Sequence, residues 1–145
     1  MSLNSIFDVA GSGMNAQSVR LNTTASNIAN ADTASSSIDE VYRARHPVFK
    51  ASFNQMLGHA SSELNGPDET AGVAVLGVVE SDAPLQPRYE PNHPMADDQG
   101  YVYYPNVNVV EEMTNMISAS RSFQMNVDVM NSAKQMMQRV LTIGQ

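Results

Sequence analysis

Along the first thirty residues, apolar and small side chains recur in steps of four and three. Leu3, Phe7, Ala10, Met14, Gln17, Leu21, Thr24 and Ile28 form a heptad seam with small or polar substitutes at three of its eight places. The spacing predicts a helix over residues 4–30, about 40 Å long at ~1.5 Å per residue. Ser2 or Asn4 suits its cap, and Asn30 suits a left-handed exit. A stronger seam follows near the other end, through Val109, Met113, Met116, Ser120, Phe123, Val127, Met130, Lys134, Met137 and Leu141. Val110, Ile117 and Val140 widen it on one flank. Asn108 and Glu111 have capping-box spacing: Asn108 accepts from an early helical amide while Glu111 reaches back. With Pro105 upstream and Gly144 as a terminator, this predicts a helix over residues 109–143, about 50 Å long.

The stretch between the helices has a different texture. Val41 to Phe53 reads as one or two short strands broken at Pro47, and Val73 to Val79 is a β-branched run of strand length. Asp97 to Gly100 is turn-like, with Tyr101 to Tyr104 as a strand pairing across it. Gly58 to Gly72 reads as a loop with Gly66-Pro67 as its breaker, and Pro84, Pro87, Pro91 and Pro94 impose an extended path. So little apolar surface supports a small β-rich projection or an extended wrap. The expected fold class is mainly α: long N- and C-terminal helices packed as a coiled coil around a small β-rich or irregular middle. The expected segments are residues 1–32, 33–105 and 106–145.

Charge sharpens that division. The 145-residue chain has a net charge of -7, yet residues 1–30 hold only Asp8 and Arg20, which cancel. Residues 106–145 hold Glu111, Glu112 and Asp128 against Arg121, Lys134 and Arg139, which also cancel. The whole surplus lies in residues 31–105, with eleven acids against four bases, and all seven prolines lie there too. An acidic chain without a concentrated basic face argues against a nucleic-acid partner. Without cysteine, neither a disulfide framework nor a thiolate metal site can form. Met1 to Ala10 lack the basic and apolar regions of a cleavable signal, and no apolar run approaches the ~20 residues needed to span a bilayer.

Two features of the helices point outward. The face of the first helix opposite its seam carries Asn15, Ser18, Asn22, Thr23, Ser26 and Asn27, short polar groups where a solvated helix would carry charges. Such side chains suit close helix contacts and are mediocre helix formers, so the segment needs a partner on both faces. Six of the ten methionines lie between Met113 and Met137, and methionine adapts to non-identical surroundings. Two helices paired as a hairpin in a small globular protein are the plainer alternative.

Catalytic patterns are missing. His46, His59 and His93 are scattered, Asp97-Asp98 lacks the spacing of a calcium loop, and no serine sits in a nucleophile elbow. Gly11-Ser12-Gly13 falls within the first helix with no strand before it, so it is no phosphate loop. No catalytic, cofactor-binding or metal-ligating residue is expected.

Leu21-Asn22-Thr23-Thr24-Ala25-Ser26-Asn27-Ile28-Ala29-Asn30 resembles the amino-terminal signature of the flagellar axial proteins, the family that builds rod and hook. Asn106-Val107-Asn108-Val109-Val110-Glu111-Glu112-Met113 resembles the carboxy-terminal one. Tyr89 to Pro94, Gly100-Tyr101-Val102, Tyr104 to Asn108 and the short middle are similar to the family's short rod subunits. The resemblance covers residues 3–32 and 84–145 and thins over residues 34–83. It implies a non-enzymatic subunit of the bacterial basal-body rod, with copies of itself and other rod proteins as partners. It also implies passage through the flagellar type III export apparatus without cleavage, with no nucleic acid and no membrane insertion. The family's termini are disordered in the monomer and fold into a helical coiled-coil layer on assembly. On this reading Leu3, Phe7, Met14, Leu21, Ile28, Val109, Met113, Met116, Phe123, Val127, Met130, Met137 and Leu141 pack between subunits, with Asn108 and Glu111 as the cap. Another axial subunit, or a non-flagellar coiled-coil adaptor or chaperone, is the alternative.

Overall fold

The computed structural model describes residues 3–53 and 71–143. Ser2, Gly144 and residues 58–70 of the loop expected over Gly58 to Gly72, with His59 and Gly66-Pro67, lie outside the described residues, while Ala71 and Gly72 of that loop open a strand instead. Helix α1 runs Leu3–Ala29 and helix α2 runs Val109–Ile143. Between them come β1 (Arg45–Phe53), β2 (Ala71–Glu80), β3 (Gln86–Tyr89) and β4 (Tyr101–Tyr104).

The helices are antiparallel. A Cβ on Gly13 of α1 would stand 3.0 Å from Asn126 Nδ2 of α2, while Ala31 just past α1 shares a core cluster with Val107 just before α2. Most side chains fully buried on the two helices are small. Ala10 and Ala16 of α1 and Ala119 and Ala133 of α2 are buried, and the largest fully buried side chains of the described chain are Val102, Asn27 and Pro105. Small residues let backbones approach closely but bury little apolar area, so the core is thin for a chain of this length.

The expected fold class, a mainly α coiled coil, is corrected by two antiparallel sheets. Strands β1 and β2 pair from Arg45↔Glu80 to Phe53↔Ala71, with a bulge between Val48 and Phe49. Strands β3 and β4 pair from Gln86↔Tyr104 to Tyr89↔Tyr101. The expected break at Pro47 is absent, because a two-stranded sheet consists of edges and an edge tolerates a residue that cannot donate. Tyr101 to Tyr104 finds its partner beyond an eleven-residue connection (residues 90–100) rather than next to the turn. That turn is closed by Asp97 Oδ1, which accepts from the amides of Gln99 (2.9 Å) and Tyr101 (2.8 Å), with Gly100 at φ +82. Ser35 and Tyr103 exchange backbone bonds of 3.1 and 3.0 Å, tying the segment after α1 to the second sheet.

The first hairpin does not project. It lies along α1: Ser12 Oγ accepts from the Val73 amide at one end (3.1 Å), and Asn27 bonds Arg45 at the other. Midway, the Arg20 guanidinium sits 5.3 Å from the Phe49 ring centroid. Thus α1 is held by α2 on one side and by its own hairpin on the other. Its exit also differs from expectation. No non-glycine residue among those described has positive φ, so Asn30 does not turn left-handed; its side chain instead donates to the Ser26 carbonyl at 2.8 Å.

Candidate assembly surface

Two asparagines fix how the helices leave the middle of the chain. Asn27, fully buried in the last turns of α1, donates from Nδ2 to the Arg45 carbonyl (2.8 Å). Its Oδ1 accepts from the Arg45 amide (2.9 Å) and the Tyr42 hydroxyl (2.8 Å). The amide side chain thereby imitates a neighbouring strand for one residue, satisfying both backbone groups of Arg45. Asn106, just before α2, does the same to adjacent backbone. Its Oδ1 accepts from the Ala44 amide (2.8 Å), and its Nδ2 donates to the carbonyls of Ser81 (3.2 Å) and Ala83 (2.9 Å). Neighbouring residues 44 and 45 are therefore held from both helix ends, which sets the hairpin against the helix pair.

Half of the uncharged outer face of α1 is explained within the chain. Thr23 and Asn27 are buried and Ser26 bonds the Tyr42 hydroxyl (3.2 Å), whereas Asn15 and Asn22 remain exposed. The partner expected for this face is thus met in part within the chain, by Tyr42 and Arg45, and Asn15 and Asn22 are left uncovered. Between them α1 and the hairpin leave an open groove of about 410 Å³ lined by Asn22, Thr23, Ser26, Arg45, Val78 and Glu80. Its ionic groups, Arg45 and Glu80, neutralise each other at 3.0 Å. Among the described residues, no three His, Asp or Glu converge on a metal-sized site, and no helix is long and apolar enough to cross a membrane.

The seam residues sort into two groups. Phe7, Met14, Leu21 and Ile28 of α1 and Val109, Met116, Phe123, Val127 and Met130 of α2 are half-buried within the chain, and Leu3 lies in the first turn of α1. Met113, Met137 and Leu141 are exposed at 53%, 38% and 66%. The stripe of α2 that faces inward passes through Glu112, Met116, Ala119, Phe123, Asn126, Met130 and Ala133, sharing Met116, Phe123 and Met130 with the expected line and lying one position off it at the other four. Hydropathy alone missed those four because alanine, asparagine and glutamate occupy them. Asn108 Oδ1 accepts from the amides of Val110 (3.2 Å) and Glu111 (3.4 Å). The Glu111 carboxylate is turned to solvent and does not return to the Asn108 amide, so only half of the capping box forms.

An apolar surface is left on the outside of α2. Val110, Met113 and Ile117 are exposed at its start, and Met136, Met137, Val140 and Leu141 at its end. A single-chain protein rarely leaves so many large apolar side chains in water on one helix. Residues 7–34 match the family described as flagella basal body rod protein, and residues 98–143 match the flagellar basal body rod FlgEFG protein C-terminal family. The chain is 50% identical over 145 residues to the flagellar basal-body rod protein FlgC of Escherichia coli O6:H1, covering 100% of both. Identity is 48% to the FlgC of Salmonella typhimurium, with both chains again covered in full. It is 36% over 151 residues to that of Borreliella burgdorferi, covering 100% of this chain and 99% of that one.

The chain belongs to the flagellar basal-body rod protein family. The two rod-family matches take in both helices and bracket the β1–β2 hairpin. Asn27 and Asn106, the side chains that grip the hairpin, lie inside the rod-family segments and close to their inner edges.

Proposed function

We propose that the chain is a structural subunit of the bacterial flagellar basal-body rod, the proximal rod component represented by its FlgC relatives. It works by packing the helical arms of many copies and of other rod proteins into a tube. The arms carry no net charge, and α2 exposes apolar side chains at both ends, as a surface meant to be covered by other subunits does. The acidic middle, gripped at residues 44 and 45, faces outward and keeps the subunit soluble before assembly. Many interlocked helix contacts give the tube the stiffness to transmit torque while its bore passes exported subunits. The chain itself is exported through the flagellar type III apparatus without cleavage. Full-length identity to FlgC relatives is the observation that carries this reading.

Deleting the gene in its host and restoring either the full chain or residues 31–105 tests it by imaging purified basal bodies. Rod loss rescued only by the full chain is the expected outcome. Complete rods in the deletion strain would refute the assignment.

A further inference from the structure

Burial within the helix pair is graded along its length. At the inner ends, where α1 stops and α2 starts, Asn27 and Pro105 are fully buried. There Ala31, Ala44 and Val107 form a cluster against which Tyr42 and Val109 pack. Farther out, the buried side chains are Ser5, Ala10 and Ala16 of α1 and Ala119 and Ala133 of α2, none larger than serine. Such groups bury little apolar area.

The hydrogen bonds follow the same gradient. Asn27 ties the last turns of α1 to Tyr42 and Arg45, and Asn106 ties the start of α2 to Ala44, Ser81 and Ala83. Asn30 Nδ2 closes the end of α1 on the Ser26 carbonyl, and Asn108 Oδ1 caps the first amides of α2. Toward the outer end of α1, an exposed hydroxyl, Ser12 Oγ, accepts from the Val73 amide. A helix is limited by its first turn, which fixes several residues for a single hydrogen bond. That cost weighs on α1, whose interior holds Gly11, Gly13, Asn15 and Asn22, all weak helix formers.

We propose that the β-structured middle is an intramolecular seed for both helical arms. Asn27 and Asn106 keep the last turns of α1 and the start of α2 formed in the free chain, and the arms lengthen outward from there. Ala44 and Arg45 are adjacent, so each asparagine steadies the seat of the other and the two inner ends form together. The outer turns of both arms are the last to form and the first to open. The order of folding is a property of the single chain; that neighbouring subunits complete the outer turns rests on the rod-subunit reading.

Amide hydrogen exchange of the purified, monomeric full chain, resolved by mass spectrometry of its peptides, reads the order of opening. Residues 24–30 and 112–118 are expected to exchange at least ~100-fold more slowly than residues 7–10 and 136–143. Two substitutions separate a seed from mere packing. Asn106→Ala should speed exchange at residues 24–30 of α1 as well as at 112–118 of α2, by roughly tenfold, although the Asn106 side chain bonds only the middle of the chain. Ala133→Gly should speed residues 126–135 about fivefold and leave residues 24–30 and 112–118 unchanged. Equal protection along both helices, or inner turns that open with the outer ones in Ala133→Gly, would show the pair folding as one unit and overturn the seed. Inner turns exchanging at the rate of an unfolded chain would overturn it too, as would an Asn106→Ala variant with residues 24–30 unaffected. A chain that shows the gradient yet is absent from basal bodies keeps the seed and removes the rod-subunit reading.

Discussion

Single residues decide how the middle of this protein is attached. Truncating Asn27 to alanine removes three hydrogen bonds at once and strands the Arg45 amide and carbonyl, while the Tyr42 hydroxyl keeps the Ser26 hydroxyl. Each buried polar group without a partner costs roughly 1–3 kcal/mol, some of it recovered by water entering the site. Asn27→Ala is therefore expected to destabilise the chain by about 2–4 kcal/mol, measured as a lower urea midpoint in far-ultraviolet circular dichroism. An unchanged midpoint would mean that Arg45 is held by something else. Gly100 gives a second case. At φ +82, with an added Cβ only 2.9 Å from Tyr89 Cε2 and 3.2 Å from Pro91 Cβ, it has no room for a side chain. Gly100→Ala is expected to cost about 1–2 kcal/mol, read as faster hydrogen exchange of the Tyr101 amide that bonds Asp97. The Asp97 to Gly100 turn is legible in sequence because its chemistry is local. The role of Asn27 is not, because its partner lies eighteen positions away and an asparagine looks the same whether it caps, turns or bridges.

Among the elements, α2 follows its sequence most closely. Its start is set by a local device, the Asn108 side chain over the first free amides, and its bounds, Val109–Ile143, are those the pattern predicts. Asn108→Ala should destabilise the helix start by about 1 kcal/mol. Glu111→Gln should change it by only about 0.3 kcal/mol, since the missing return bond leaves Glu111 the helix dipole alone; equal losses would restore the full capping box. Helix α1 is more conditional, with a seam of small residues and two glycines in its interior. Nothing lies within 4 Å of an added Cβ on Gly11, whereas one on Gly13 meets Asn126 at 3.0 Å. Gly11→Ala should then stabilise the soluble chain by up to about 1 kcal/mol, while Gly13→Ala should gain less or lose. Paired urea melts of the two variants make the comparison, and equal gains would place Gly13 away from the α1–α2 contact. The sheets were only half legible. The β-branched run at Val73 to Val79 marks β2, but pairing depends on which distant strand arrives, and nothing local to Tyr101 names Tyr89.

As a whole the described molecule is a thin-cored scaffold with many large apolar side chains left exposed, a poor arrangement for a free monomer and a good one for a lattice. Half-buried Leu21 and Val127 lie on the two helices in contact. Leu21→Asp or Val127→Asp would place a charge without a partner between them and is expected to abolish rod assembly, seen as missing rods in purified basal bodies. Normal rods carrying either substitution would remove those positions from the packed seam. The sequence by itself determined the two helices, the cap of α2, the neutral arms around an acidic middle, and, through its two signatures, the family. Those are properties of local spacing and composition, which act over a turn or two of chain. Only the tertiary structure decided that the hairpin lies along α1 rather than projecting, and that alanines are among the most buried side chains of the two helices. It also decided which apolar side chains of α2 stay in water. Each of these depends on what arrives from far along the chain to cover a surface, and neither periodicity nor residue type records that.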